Sequence, residues 1–203
     1  MIELYRSATE IQEFFRQHDW QFCIIGGVAV LRWSHIRATK DVDVTLLSGF
    51  GREEFFIDEL LKAFVFRSPG SRDFALRNRV MLLTDRHGIP VDVALGGIPF
   101  EERTVQRSSL WEAQPGVLLR TCSAEDLLIH KCFANRSIDW ADVEGILARQ
   151  AGKLDLELVR RELRPLLEMK DDPQILQKLE ALILRNNRPF TRIPPRNRDP
   201  ETS

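Results

Sequence analysis

The sequence predicts a mixed α/β unit followed by a helical unit, and three observations carry that reading. Short apolar runs alternate with helical periodicity up to about Phe100. Two of these runs flank a polar loop ending in glycine, as in a hairpin. After Phe100 helical periodicity stands almost alone. A chain of 203 residues is long enough for one large domain, or for a domain with a helical extension, and it can bury a substantial core.

Ser7-Ala8-Thr9-Glu10 has capping-box spacing and predicts the start of an amphipathic helix with Ile11, Phe14 and Phe15 on one face, ending near His18-Asp19. Phe22-Cys23-Ile24-Ile25 reads as a buried strand. Gly26-Gly27 breaks it, and Val28 to Trp33 reads as helix. Asp41 to Leu47 alternates with the period of two expected of a strand, and Arg52 to Phe64 predicts a helix burying Phe55, Phe56, Leu60 and Leu61. Val80 to Thr84 and Ile89 to Leu95 form the hairpin around Asp85-Arg86-His87-Gly88. Ser123-Ala124-Glu125-Asp126 predicts a further helix cap. Three helices follow at Asp139 to Gln150, Asp155 to Met169 and Pro173 to Arg185. The division expected is an α/β core over 1–100, a helical unit over 101–185 and a mobile, Pro- and Arg-rich tail over 186–203.

Composition excludes several classes. Hydrophobic residues at 43% and charged residues at 29% are those of an ordinary globular protein, and a net charge of −1 gives no overall field towards nucleic acid or anionic membrane. Three cysteines without paired spacing (Cys23, Cys122, Cys132) argue against a disulfide framework or a zinc site and read as buried thiols. With neither a signal peptide nor an apolar run of membrane-spanning length, the expectation is a cytoplasmic protein without a membrane partner.

The chemistry concentrates in a few residues. Asp41 and Asp43 are two apart on one strand, so both carboxylates point the same way, roughly 6.5–7 Å apart along the backbone. Asp92 is a lone charge between Val91 and Val93, where a charge needs a partner. If its strand lies beside that of Asp41 and Asp43, three carboxylates converge. Magnesium takes such hard oxygen ligands together with substrate phosphates. Gly26-Gly27, between a strand and a helix, permits close backbone approach and offers a helix N-terminus to an anion.

Ile24-Ile25-Gly26-Gly27 followed by Asp41-Val42-Asp43-Val44 resembles the signature of the DNA polymerase β-like nucleotidyltransferase superfamily. Arg37-Ala38-Thr39-Lys40-Asp41-Val42-Asp43, with Glu125 to Lys131 and then Ala134, Arg136, Asp139 and Asp142, most resembles its AbiEii-type toxin branch. The resemblance spans about Phe22 to Gln150. It implies a nucleotidyltransferase fold with a mixed sheet, in which Asp41, Asp43 and Asp92 are catalytic and bind magnesium or manganese. It also implies that Gly26 and Gly27 contact an NTP, and that Lys131, with Arg136, faces the phosphates. Arg37 positions phosphate or braces the loop before Asp41. Where many superfamily members carry Gly-Ser at the phosphate turn this chain has Gly-Gly, which removes one hydroxyl contact.

The implied reaction moves an NMP from an NTP to an acceptor hydroxyl, with Asp92 as base or as ligand of the activating metal. RNA, a protein side chain and an aminoglycoside-like small molecule are all open as acceptors, and an antitoxin protein is a partner the toxin branch implies. Rival readings are a non-catalytic nucleotide-binding or toxin–antitoxin partner module and a structural protein whose acidic cluster is accidental. Residue by residue the alternatives are structural: Asp92 paired with Arg37 or Arg79, Arg136 paired with Asp139 between helices, Lys131 solvated on its helix, and four tryptophans as packing. Arg185, Arg188, Arg192, Arg196 and Arg198 suit a phosphate backbone if RNA is the acceptor.

Overall fold

The structure is a computed structural model, and it describes residues 1–186. Its centre is a seven-stranded mixed sheet of β1 (Phe22–Ile24), β2 (Val42–Leu47), β3 (Val65–Phe66), β4 (Val80–Thr84), β5 (Pro90–Gly96), β6 (Ser109–Gln114) and β7 (Val117–Thr121), in the order β3-β4-β5-β2-β1-β7-β6. Strands β2 and β5 run parallel, as do β1 and β7, and the remaining neighbours are antiparallel. The helices are α1 (Ile2–Gln17), α2 (Gly26–Trp33), α3 (Glu53–Leu60), α4 (Ser71–Asn78), α5 (Pro99–Gln106), α6 (Ala124–Ala134), α7 (Ser137–Arg149), α8 (Leu156–Lys170) and α9 (Gln174–Asn186).

Strand alternation sorts the side chains into two cores. Val42, Val44 and Leu46 of β2 and Val91, Val93 and Leu95 of β5 pack with Ala8, Ile11 and Phe15 of α1 and with Phe56, Ile57 and Leu60 of α3. The second cluster joins Cys23, Ala29, Val30 and Phe100 to Leu127, Leu128, Trp140, Val143, Val159 and Leu163 of the later helices. Asp43 and Asp92 alternate with the valines of the first core, so they project on the opposite side, toward the second.

Several expectations are corrected. Helix α1 begins at Ile2, so Ser7 is a buried mid-helix residue rather than a cap. Propensity and the apolar face of Leu4, Tyr5 and Ala8 carry the helix past the apparent cap. Helix α3 stops at Leu60 and is followed by turns, and Phe55 stays 43% exposed rather than facing the core. Segments β3, α4 and α5 had no expectation. The largest omission is the β6–β7 hairpin, inside the stretch expected to be purely helical: it extends the sheet through the parallel pairing of Ile24 with Thr121. Its signal is Pro115-Gly116, where a proline and a positive-φ glycine (φ 79°) make the turn between two short runs. The α/β layer therefore draws on residues beyond 100. Helix α9 still includes Asn186, and residues 187–203 of the expected tail, with Arg188, Arg192, Arg196 and Arg198, lie outside the described residues.

Other expectations hold. The β4–β5 hairpin has the expected strands, and Ser123 caps α6 by accepting from the Asp126 amide at 3.0 Å. All three cysteines are buried and free. No helix among the described residues is long and apolar enough to cross a membrane.

Candidate active site

The parallel register of β2 and β5 sets Asp43 directly opposite Asp92, so the convergence that the sequence could only condition on strand adjacency is present. Asp41 lies one residue before β2 on the same side as Asp43. Thr39 donates its hydroxyl to the Asp41 carboxylate at 3.2 Å.

The glycine turn is fitted against this group. Gly26 has φ 56°, and a Cβ there would stand 1.8 Å from Asp43 Oδ2, so both the backbone conformation and the space require glycine. A Cβ on Gly27 would meet Thr39 Oγ1 at 2.1 Å, while the Gly27 amide donates to Asp43 Oδ2 at 3.3 Å. The first turn of α2 thus grips the second aspartate of the Asp-x-Asp pair, spending one of its N–H groups on a carboxylate.

Electrostatics follow from this crowding. Burial, reinforced by the charges of Asp41 and Asp92, pushes the Asp43 carboxyl up to about 6, against the opposing Gly27 amide and the Lys131 charge. Asp92 is also raised, by burial and Asp41, against Arg67. Arg67 was not foreseen. The Arg67 amide donates to Leu82 O at 2.9 Å and Leu82 faces Asp92 across β4 and β5, so the guanidinium reaches along one line over the sheet to pair with the Asp92 carboxylate. The expected partners are engaged elsewhere, Arg37 with Asp142 and Arg79 with Glu53. No local pattern links positions 67 and 92, because the contact depends on the order of three strands.

A second network lies behind the carboxylates. Arg37 grips Asp142 with two hydrogen bonds, at 2.6 and 2.8 Å. Lys131 reaches Asp142 at 2.8 Å and Asp139 at 3.1 Å, and Arg136 meets Asp139 at 2.6 Å. Lys131 is only 6% exposed, so it is not on a solvated helix face, and its ammonium is held by two carboxylates. The Arg136–Asp139 pair sits within the first turn of α7 rather than between helices. Arg37 and Lys131 tie the loop before Asp41 to α6 and α7, so their first role is bracing. Both carboxylates of this network sit below their ordinary range, held down by hydrogen bonds and charge from these cations against the effect of burial.

The donor set of Asp41, Asp43 and Asp92 is hard oxygen, which fits magnesium or manganese. Burial first, and then repulsion from Asp41 and Asp92, raises Asp43, and a cation among the three would relieve the repulsion. Among the described residues no three metal-binding side chains already close around one position, and Asp92 is paired with Arg67. A cavity of about 510 Å³ lined by Gln12, Trp20 and Arg120 contains none of these carboxylates.

No protein-family model matches the chain, and no curated protein matches it. Solved structures do. An antigenic nucleotidyltransferase-like protein from Paracoccidioides brasiliensis superposes with a TM-score of 0.50 at 15% identity, covering 92% of this chain and 89% of its own. The lincosamide antibiotic adenylyltransferase LnuA, lincomycin-bound, gives 0.46 at 15% identity over 70% of this chain and 94% of its own. The antibiotic-resistance factor ANT(2'')-Ia gives 0.48 at 14% identity over 87% and 97%. The fold assignment rests on the first of these: the chain has a nucleotidyltransferase-like α/β fold with a mixed sheet and C-terminal helices.

Proposed function

We propose that the protein is a magnesium-dependent nucleotidyltransferase that moves an NMP from an NTP to an acceptor hydroxyl. The observation that carries this reading is the register pairing of Asp43 with Asp92, with Asp41 on the same side and Gly26-Gly27 packed onto Asp43. A structural role for the acids alone does not explain it, because three carboxylates gathered at partial burial cost stability unless a cation joins them.

In the proposed reaction the acceptor oxygen forms a bond to the α-phosphorus. The bond from that phosphorus to the bridging oxygen of the β-phosphate breaks, and pyrophosphate leaves with the electron pair. The hydroxyl proton passes to Asp92, whose carboxylate is more open than that of Asp43, pinned beneath the glycine turn. A magnesium ion bound by Asp41, Asp43 and Asp92 would supply charge neutralisation of the triphosphate and activation of the hydroxyl. The remaining amides at the start of α2 face the phosphates, and the Arg37–Asp142–Lys131 network keeps the Asp41 loop in place. The resemblance to the AbiEii-type branch adds RNA as an acceptor class and an antitoxin as a partner.

The test is incubation of the full chain with each α-labelled NTP and magnesium, in the presence of cellular RNA, protein or a small-molecule extract, following label into each fraction and pyrophosphate into solution. Label transfer that needs magnesium and is lost in Asp43→Asn is expected. Nucleotide binding without pyrophosphate release refutes transfer in favour of a binding module, and no magnesium-dependent nucleotide binding at all refutes the site.

A further inference from the structure

Beside the carboxylates, on the same sheet face, lies a second cavity of about 200 Å³. Its floor is Thr45 and Ala94, themselves register partners. Each is the next same-face residue after Asp43 and Asp92, so the floor begins roughly 6.5–7 Å beyond the acids. Ile25, the residue before the glycine turn, forms one wall. Ala94 is flanked by paired strands on both sides and yet is only half-buried, so the sheet face there is left uncovered. The roof comes from α6 and α8.

The lining is apolar apart from Thr45, Glu101 and His130. Glu101 is held in place as the cap of α5, its Oε2 accepting from the amides of Gly97 at 2.7 Å and Ile98 at 3.0 Å. His130 is different. Its Nε2 is out of solvent and has no hydrogen-bond partner. The ring, packed 5.1 Å from Phe100, borders the cavity. An unpaired buried nitrogen is costly unless a partner arrives. Burial lowers the pKa of His130, so the neutral imidazole is the form present at neutral pH, and it can donate or accept.

Resting on the transferase reading above, we infer that this cavity is the seat of the acceptor, and that the acceptor is a small molecule with one apolar ring. A polar substituent of that ring would meet the His130 imidazole, which must turn its shielded Nε2 toward the cavity to take the bond, and the ring's reactive hydroxyl would face Asp43 and Asp92. Size points to the class: an apolar cavity of about 150 Å³ holds benzene, so 200 Å³ matches a single ring with short substituents. The transfer balances as written above, with the NTP as co-reactant.

Phenol is the binding probe and benzene its apolar control, both followed by ligand-observed NMR on the full chain, with magnesium–ATP binding measured in parallel. Phenol is expected to bind the wild type, to persist in the presence of magnesium–ATP, and to be lost in Ala94→Phe, which fills the floor. Met169→Trp, altering a 76% exposed residue at the rim, gives the same loss without touching the core. His130→Phe keeps benzene and weakens phenol about tenfold, the worth of one hydrogen bond. Phenol affinity unchanged in both filling variants overturns the inference, as does displacement of phenol by ATP, which would make the cavity the nucleobase site. Undiminished labelling of RNA by Ala94→Phe also overturns it. A wild type that binds magnesium–ATP but no phenol overturns this inference alone. One that binds phenol but no magnesium–nucleotide overturns the transferase reading and the acceptor assignment with it.

Discussion

Replacing Asp43 by asparagine separates the stability of the metal-free site from its use of metal, because the two effects have opposite signs. The Asp43 carboxyl titrates at about 6 in the folded chain, against an ordinary value near 3.9. A carboxyl raised in this way holds more protons in the native than in the unfolded chain between about pH 4 and pH 6, so its contribution to stability falls as pH rises through that window and stays low above it. Two units correspond to ~3 kcal/mol, and residual solvent access at Asp43 reduces this to about 2 kcal/mol. Asparagine keeps an oxygen for the Gly27 amide and carries no charge. Without metal at neutral pH, Asp43→Asn is therefore expected to be more stable than the wild type by about 2 kcal/mol, or ~4–8 °C in melting temperature for a chain of this size. Below about pH 4 the two should converge. Magnesium should then raise the wild type and leave the variant unmoved. Thermal and urea unfolding across this pH range, with chelator and with magnesium, decides the matter. A variant less stable than the wild type at neutral pH without metal refutes the electrostatic argument, and one that keeps the full magnesium increment refutes Asp43 as a ligand.

Three further outcomes follow from the same geometry. Lys131→Ala leaves Asp139 and Asp142 buried with one cation fewer each, and a loss of ~3 kcal/mol in urea unfolding is expected; an unchanged midpoint would contradict the buried network. Gly26→Ala forces a Cβ into Asp43 at a left-handed φ and should lower stability by at least ~1 kcal/mol while weakening magnesium–nucleotide binding; calorimetry showing wild-type binding would refute the close fit. Arg67→Gln removes a partly exposed pair, so stability should change by less than ~1 kcal/mol, but manganese should bind several-fold more tightly by titration calorimetry; weaker binding would show that Arg67 assists the site rather than competing for it.

What was legible in the sequence was local. Period-two alternation around Asp41, Asp43 and Asp92 gives their faces correctly, and Gly26-Gly27 marks a close approach because nothing larger tolerates that backbone. The hydroxyl at Ser123 gives the cap of α6. What was illegible depends on strand order. The partner of Asp92 is Arg67 only because β3, β4 and β5 lie side by side, and a lysine at helical spacing reads as solvated until α7 is known to bring Asp139 and Asp142 over it. The β6–β7 hairpin was missed for a third reason: its outer residues Leu110 and Leu118 are half exposed, which blurs the alternation that marks a strand.

The parallel pairing of β1 with β7 has a consequence for how the chain reaches its native state. Strand β2 finds β1 within a few tens of residues, but Thr121 meets Ile24 only after roughly a hundred more residues have been made. During synthesis β1 is then an open edge with unpaired amides and carbonyls, and Phe22, Cys23 and Ile24 make it an adhesive one. The carboxylates and glycine turn come from the first half of the chain, whereas Lys131 and its two acids arrive with the second. A ribosome-bound chain halted before β7 should therefore aggregate or recruit a chaperone, and closure of this one strand pair is the step that commits the molecule to a finished site.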